Sequence, residues 1–192
     1  MSALLRSRAA SILGFIIAAA LLLAMRMTTP NYDGRVAPIV ERGRIGGDYA
    51  IGRRFAARAE RVEAAQRIRV ARLGATLEER DTSGVWIIVH ASAMAMREPT
   101  TIGAASLRTR DGRRYAQTAR LPSVAPLMST RELQPAIADS GVFVFELPAD
   151  AVAGATLVLA ANRIDPLDSE LQIDLGLTAA PAARDVYDLV RP

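Results

Sequence analysis

The sequence predicts an all-β domain, an antiparallel sandwich or barrel, behind one N-terminal transmembrane helix. Three observations carry this. Ala9 to Met25 is a run of 17 residues without a charge. From residue 84 onward, short apolar segments recur with turn residues between them every ~8–15 positions. No strand-then-helix alternation appears, which argues against a nucleotide-binding α/β fold.

Composition narrows the function. The chain has 192 residues and no Cys, so it has no disulfide framework, zinc–thiolate site or thiol nucleophile. One His excludes mechanisms that need two imidazoles. Aromatics at 5% are thin for base stacking or a sugar platform. Apolar residues at 51% and a mean hydropathy of +0.16 exclude a disordered chain. All 24 basic residues are Arg, in keeping with a GC-rich, Ala-rich coding sequence. Residues 1–80 hold 14 Arg against 7 acids, and residues 81–192 hold 10 Arg against 13 acids. The pI near 10.3 is therefore no uniform basic footprint, and nucleic acid is not an expected partner.

In the uncharged run only Ser11 has a polar side chain. The run spans ~25 Å as a helix, the short end for a bilayer, and Ala3-Leu4-Leu5 lengthen it. Arg6 and Arg8 precede it and Arg26 follows, a bias that favours a cytoplasmic N-terminus. Met25-Arg26-Met27-Thr28-Thr29-Pro30 offers no small-residue cleavage site, and a lipobox needs Cys. The preferred reading is an uncleaved signal anchor over residues 9–26, with a cleaved signal as the rival. Residues 1–8 are then cytoplasmic, and the C-terminal domain of this single-pass cell-membrane protein is extracytoplasmic. The lipid bilayer is its first partner.

Residues 27–51 read as a linker, with Pro30, Pro38 and Gly at 34, 43, 46 and 47. Residues 53–73 are ambiguous. Ala, Arg, Glu and Gln favour a helix, while Phe55, Ala57, Ala59 and then Ile68, Val70 alternate as two strands would. Local sequence leans to the helix. Val85–Met96 opens with five apolar residues, as a strand buried on both faces does, then alternates; Glu98-Pro99 ends it. Thr101–Arg108 is the next strand, and Asp111-Gly112 turns it back along Arg113–Gln117. Residues 121–140 form a long connection. Gly141–Pro148 alternates Val142, Val144, Glu146 against Phe143, Phe145, Leu147. Ala155–Ala161 and Glu170–Leu177 complete the set. The sandwich is expected over 52–178, with a tail over 179–192.

Taken together, these segments resemble the telokin-like, immunoglobulin-type sandwich domains of unknown function in exported, membrane-anchored bacterial proteins, actinobacterial ones among them. The likeness covers Gly52 to Leu177. It rests on Val62-Glu63, the strand opening at Val85, Leu107–Tyr115, Leu133–Pro148 and Thr156–Ala161. Arg110-Asp111-Gly112-Arg113-Arg114-Tyr115 is one residue tighter than the family hairpin. Ala136 stands where Gly is common, and His90-Ala91-Ser92-Ala93 departs from the family's turn. The resemblance implies an immunoglobulin-like β-sandwich in place of the local helix over 53–73, and an exported, anchored location. It brings no catalytic residues.

Single residues read mostly as structure. Alternation puts His90 on the face of Trp86, Ile88 and Ser92, a packed or rim position without a marked partner. Asp165, Asp168, Glu170 and Asp174 are an acidic cluster, but no EF-hand spacing is present and turn chemistry explains them. Trp86 reads as core. Ser83-Gly84 and Ser140-Gly141 read as turns, since neither is in a nucleophile elbow. Gly43–Gly47 lacks the strand, Lys and helix of a phosphate loop. Met94 and Met96 share a strand face that fills the core or meets a partner. Arg53, Arg54, Arg58, Arg61, Arg67, Arg69 and Arg72 are solvated strand faces or contacts to anionic headgroups.

No catalytic, cofactor or metal residues are assigned, and no enzyme activity is expected. The expected function is a binding or scaffold module accessory to a membrane transport or cell-envelope complex, with a membrane or envelope protein as partner. The rival is an envelope domain that binds a ligand or cation without catalysis.

Overall fold

The computed structural model describes residues 2–28, 37–71, 77–121, 126–162 and 168–189. The chain divides into two units, Met1–Ala37 and Pro38–Pro192. The first contains α1 (Ser2–Thr28). Its side chains are described over 13–27, and all are exposed, with Phe15 at 77%, Leu22 at 68% and Met27 at 83%. Among the described residues, no helix is long and apolar enough to cross a membrane. The expected transmembrane helix is therefore not found there, and the uncharged run begins four residues before the described side chains.

The second unit is a β-sandwich. Its strands are β1 (Ile39–Arg44), β2 (Ala50–Ile51), β3 (Phe55–Ala71), β4 (Leu77–Ala95) and β5 (Ala104–Arg108), followed by β6 (Arg114–Ala116), β7 (Asp139–Leu147), β8 (Thr156–Ala160), β9 (Ser169–Asp174) and β10 (Ala183–Leu189). One sheet runs β1-β9-β8-β5-β6 and the other β10-β3-β4-β7, with β2 also on β3. Two pairs, β1 with β9 and β10 with β3, are parallel; the other pairs between these strands are antiparallel. The strands nearest the chain's two ends thus form parallel edges on opposite sheets.

These edges revise the sequence reading. β1 and β2 fall within the expected linker, and β10 within the expected tail. Residues 53–73 hold one 17-residue strand, not a helix or two strands. Tertiary pairing on both sides overrides its helix propensity. Register shifts at Ala59/Arg61 and Ala65/Arg67 each advance the buried set by one residue. Phe55, Ala57 and Ala59 therefore face the sandwich core, Ala64 follows after the first shift, and Ile68 and Val70 lie on the opposite face after the second.

The main core lies between the sheets. One side supplies Ile87, Val89, Phe143 and Phe145, the other Leu107, Leu157, Leu159 and Leu171. A second apolar cluster covers the outer face of the four-stranded sheet. It joins Trp86, Ile88, Val142 and Val144 with Leu121 and Leu127 of the β6–β7 connection and Leu189 of β10. This is why Val85–Val89 and Val142–Phe145 are apolar without a break, as buried-on-both-faces strands must be. Trp86 is fully buried here; its Nε1–H donates to the Arg80 carbonyl at 3.2 Å, and the Arg120 guanidinium lies 5.4 Å from its ring.

Ser83-Gly84 and Ser140-Gly141 are not turns; they lie inside β4 and β7. A Cβ on Gly84 would sit 2.4 Å from the Leu147 carbonyl oxygen, and one on Gly141 2.7 Å from that of Pro126. Close backbone approach, not chain reversal, needs these glycines. The Asp111-Gly112 turn joins β5 to β6 as expected, with Gly112 at φ 85°.

Candidate functional site

The sandwich has two ends. β1, β3, β5 and β9 start at the end where the chain comes in, and β4 finishes there; we call it proximal.

His90 lies mid-sheet, on the outer face and at the rim of the second cluster. Its Nε2 is 3.4 Å from Glu63 Oε2 and 3.3 Å from the Tyr187 hydroxyl. Arg184 Nη2 donates to Glu63 Oε1 at 3.2 Å, and Arg61 Nε lies 3.7 Å from the same oxygen. Burial first, and Arg61 second, lower the His90 pKa below its ordinary 6.5, against the pull of Glu63. Burial, then Glu63, raise that of Tyr187. The imidazole thus has the orienting carboxylate that the sequence left unmarked. It lacks a matched nucleophile: Ser92, the next outward residue on β4, sits 2.9 Å from the Tyr49 hydroxyl. The arrangement suits a half-buried polar clasp between β3, β4 and β10.

The acidic cluster does not converge. Asp165 lies outside the described residues. Asp168 Oδ1 accepts from the Ser169 N–H at 2.8 Å, and its Oδ2 is 3.2 Å from Arg54 Nε. Glu170 is buried on the outward face of β9, where Arg114 donates at 3.1 Å and Gln172 at 2.6 Å. Asp174 is exposed four residues on, ~13 Å along the strand, and accepts from the Gly176 N–H. Among the described residues no three His, Cys, Asp or Glu side chains are grouped to hold a metal.

Gly43 and Arg44 end β1, and Gly46-Gly47 follow in its turn, which is no phosphate cradle. Met94 is half-buried and Met96 exposed, on one outward face at the proximal end of β4. Most of the described members of the arginine set meet acids: Arg58 with Glu60, Arg61 with Glu63, Arg67 with Glu79 and Asp185, Arg69 with Glu79 and Asp188. Arg72 lies outside the described side chains.

A cleft of about 770 Å³ opens at the proximal end, lined by Arg53, Arg54, Arg97, Glu98, Pro99, Thr100 and Asp168. Three segments build it: the turn before β3, the connection after β4, and the residue before β9. The Arg53 N–H donates to Ser169 Oγ, the Met96 N–H to the Arg54 carbonyl, and the Ile39 N–H to the Asp168 carbonyl. Three arginines against two carboxylates, with Asp168 paired to Arg54, leave the cleft one positive charge in excess, which suits an anionic group. Arg53, Arg54 and Asp168 are visible in the sequence as members of separate clusters. Their meeting with Arg97 is not, because it depends on β3–β4 pairing.

No protein family matches the chain, and no curated protein does. Solved structures are similar to it at low identity. An uncharacterised β-sandwich protein from Clostridium difficile 630 has a TM-score of 0.46 and 12% identity, covering 75% of this chain and 99% of that one. The secreted protein MPT63 of Mycobacterium tuberculosis has 0.49 and 14%, covering 71% and 97%. The yjhA protein of Bacillus subtilis has 0.46 and 17%, covering 69% and 99%.

Proposed function

We propose that this chain is a single-pass, signal-anchored protein whose telokin-like, immunoglobulin-type sandwich works outside the cytoplasm as a non-catalytic binding or scaffold module. It serves a membrane transport or cell-envelope complex. One observation carries the reading: α1 exposes large apolar side chains on all its sides, from Leu13 to Met27. A helix that is apolar all round needs lipid or protein around it, not water. The uncharged stretch reaches back to Ala9, and Arg6 and Arg8 sit before it. An anchor also raises the local concentration of the sandwich at the membrane, so weak contacts suffice.

The test has two parts. Alkaline carbonate extraction of cell membranes should leave the full chain in the pellet and release a chain lacking residues 1–27. Mild detergent extraction should then recover the full chain with a specific membrane or envelope protein. Release of the full chain by carbonate removes the anchor; recovery without any specific companion removes the scaffold role.

A further inference from the structure

We propose that the proximal end of the sandwich is a docking surface for an anionic phospholipid bilayer. Among the described residues of the second unit, five large apolar side chains are exposed: Ile39, Val40, Ile51, Met96 and Ile137. All five belong to one end. Ile39 and Val40 open β1, where the Ile39 N–H donates to the Asp168 carbonyl. Ile51 closes β2 just before the turn in which the Gly52 N–H donates to the Phe55 carbonyl. Met96 follows β4, and Ile137 follows Ala136, whose N–H donates to the Ala95 carbonyl. Four segments thus bring their apolar tips to the same end of the sandwich. Ile51 is 59% exposed and Ile137 64%.

Arg53, Arg54 and Arg97 stand among these tips and line the cleft with Glu98 and Asp168, and Asp168 is 3.2 Å from Arg54, so the lining carries one positive charge in excess. Apolar side chains beside arginines are the composition of a surface that lies in the headgroup layer. The apolar tips enter the acyl boundary, and guanidinium groups bind phosphate oxygens. The distal turns carry no exposed large apolar side chain among the described residues. The occupant is a lipid surface rather than a protein because of where the chain comes in. Residues 29–38, between α1 and β1, extend at most ~35 Å. With residues 9–25 in a bilayer, residues 26–28 of α1 add ~5 Å, and β1 starts within ~40 Å of its surface. This step rests on the anchor reading above.

The test uses the full chain, which has no Cys, so Ile137→Cys accepts a single environment-sensitive dye. Asp150→Cys, exposed in the turn after β7, is the distal control. Each is reconstituted into phosphatidylcholine vesicles with and without phosphatidylglycerol. The expected result is quenching of the 137 dye by nitroxide lipids in the anionic vesicles, with the 150 dye quenched only by aqueous iodide. Arg97→Glu, an exposed change, should weaken the lipid quenching at 137 and leave the urea midpoint unchanged. Iodide quenching at both positions in anionic vesicles would overturn the proposal. So would shielding of the 137 dye that persists in detergent, which marks contact with a second copy. Carbonate extraction of the same vesicles reports the anchor separately, so loss of the anchor and loss of the docking surface are told apart.

Discussion

His90 holds its proton less firmly in the folded chain than in the unfolded one, because burial and Arg61 oppose the charged ring. Glu63, Glu60, Arg61, Arg184 and Tyr187 are the charged and titratable groups around it. The unfolded chain therefore binds more protons as the pH falls below about 6.5, and acid favours unfolding. This contribution to stability is full above the unfolded pKa and is lost as pH falls through the lower folded value. His90→Gln should flatten the decline of the urea midpoint between pH 7 and pH 5. An unchanged decline would assign the acid sensitivity to the carboxylates. Ala136 offers a second residue-level test. It stands at φ 60°, the left-handed region that disfavours a Cβ. Ala136→Gly should raise stability by ~1 kcal/mol in urea titrations; a loss would mean that the Ala methyl packs more than its backbone strains.

Strand legibility followed how much each strand owes to its own residues. β4 from Val85 on and β7 from Val142 on carry their burial in alternation and unbroken apolar runs, so these parts were readable; Leu77–Gly84 of β4 was not, since it is polar and ends in a Ser-Gly pair that reads as a turn. β3 was not, because its bulges break the period of two and its Ala and Arg favour a helix. β1 and β10 were missed because they are edge strands with few buried side chains, and their evidence lies in partners more than 100 residues away. The role of β10 is testable at the same scale. It supplies Leu189 and Tyr187 to the second cluster and Asp185 and Asp188 to Arg67 and Arg69. A chain ending at residue 182 should lose ~3 kcal/mol or more, chiefly from uncovered Ile68 and Val70. Arg69→Ala, which removes exposed, solvent-screened ion pairs, should move the urea midpoint far less than the truncation does. Equal urea midpoints for the two variants would mean that charge, not packing, holds the edge.

For the molecule as a whole, the sandwich was legible and its chemistry was not. Turn spacing and β-branched runs specify two facing sheets, since a strand's apolar side must be covered. The proximal cleft needs side chains from three connections, and a connection's destination is set by pairing that no local pattern encodes. The same pairing decides where the chain leaves. β3 starts at the proximal end, and β10 runs parallel to it. The polypeptide therefore comes into the sandwich at one pole and exits toward the other. A reporter or affinity handle fused directly after β10 would stand clear of the Arg-lined pole, leaving that surface unobstructed for whatever it meets.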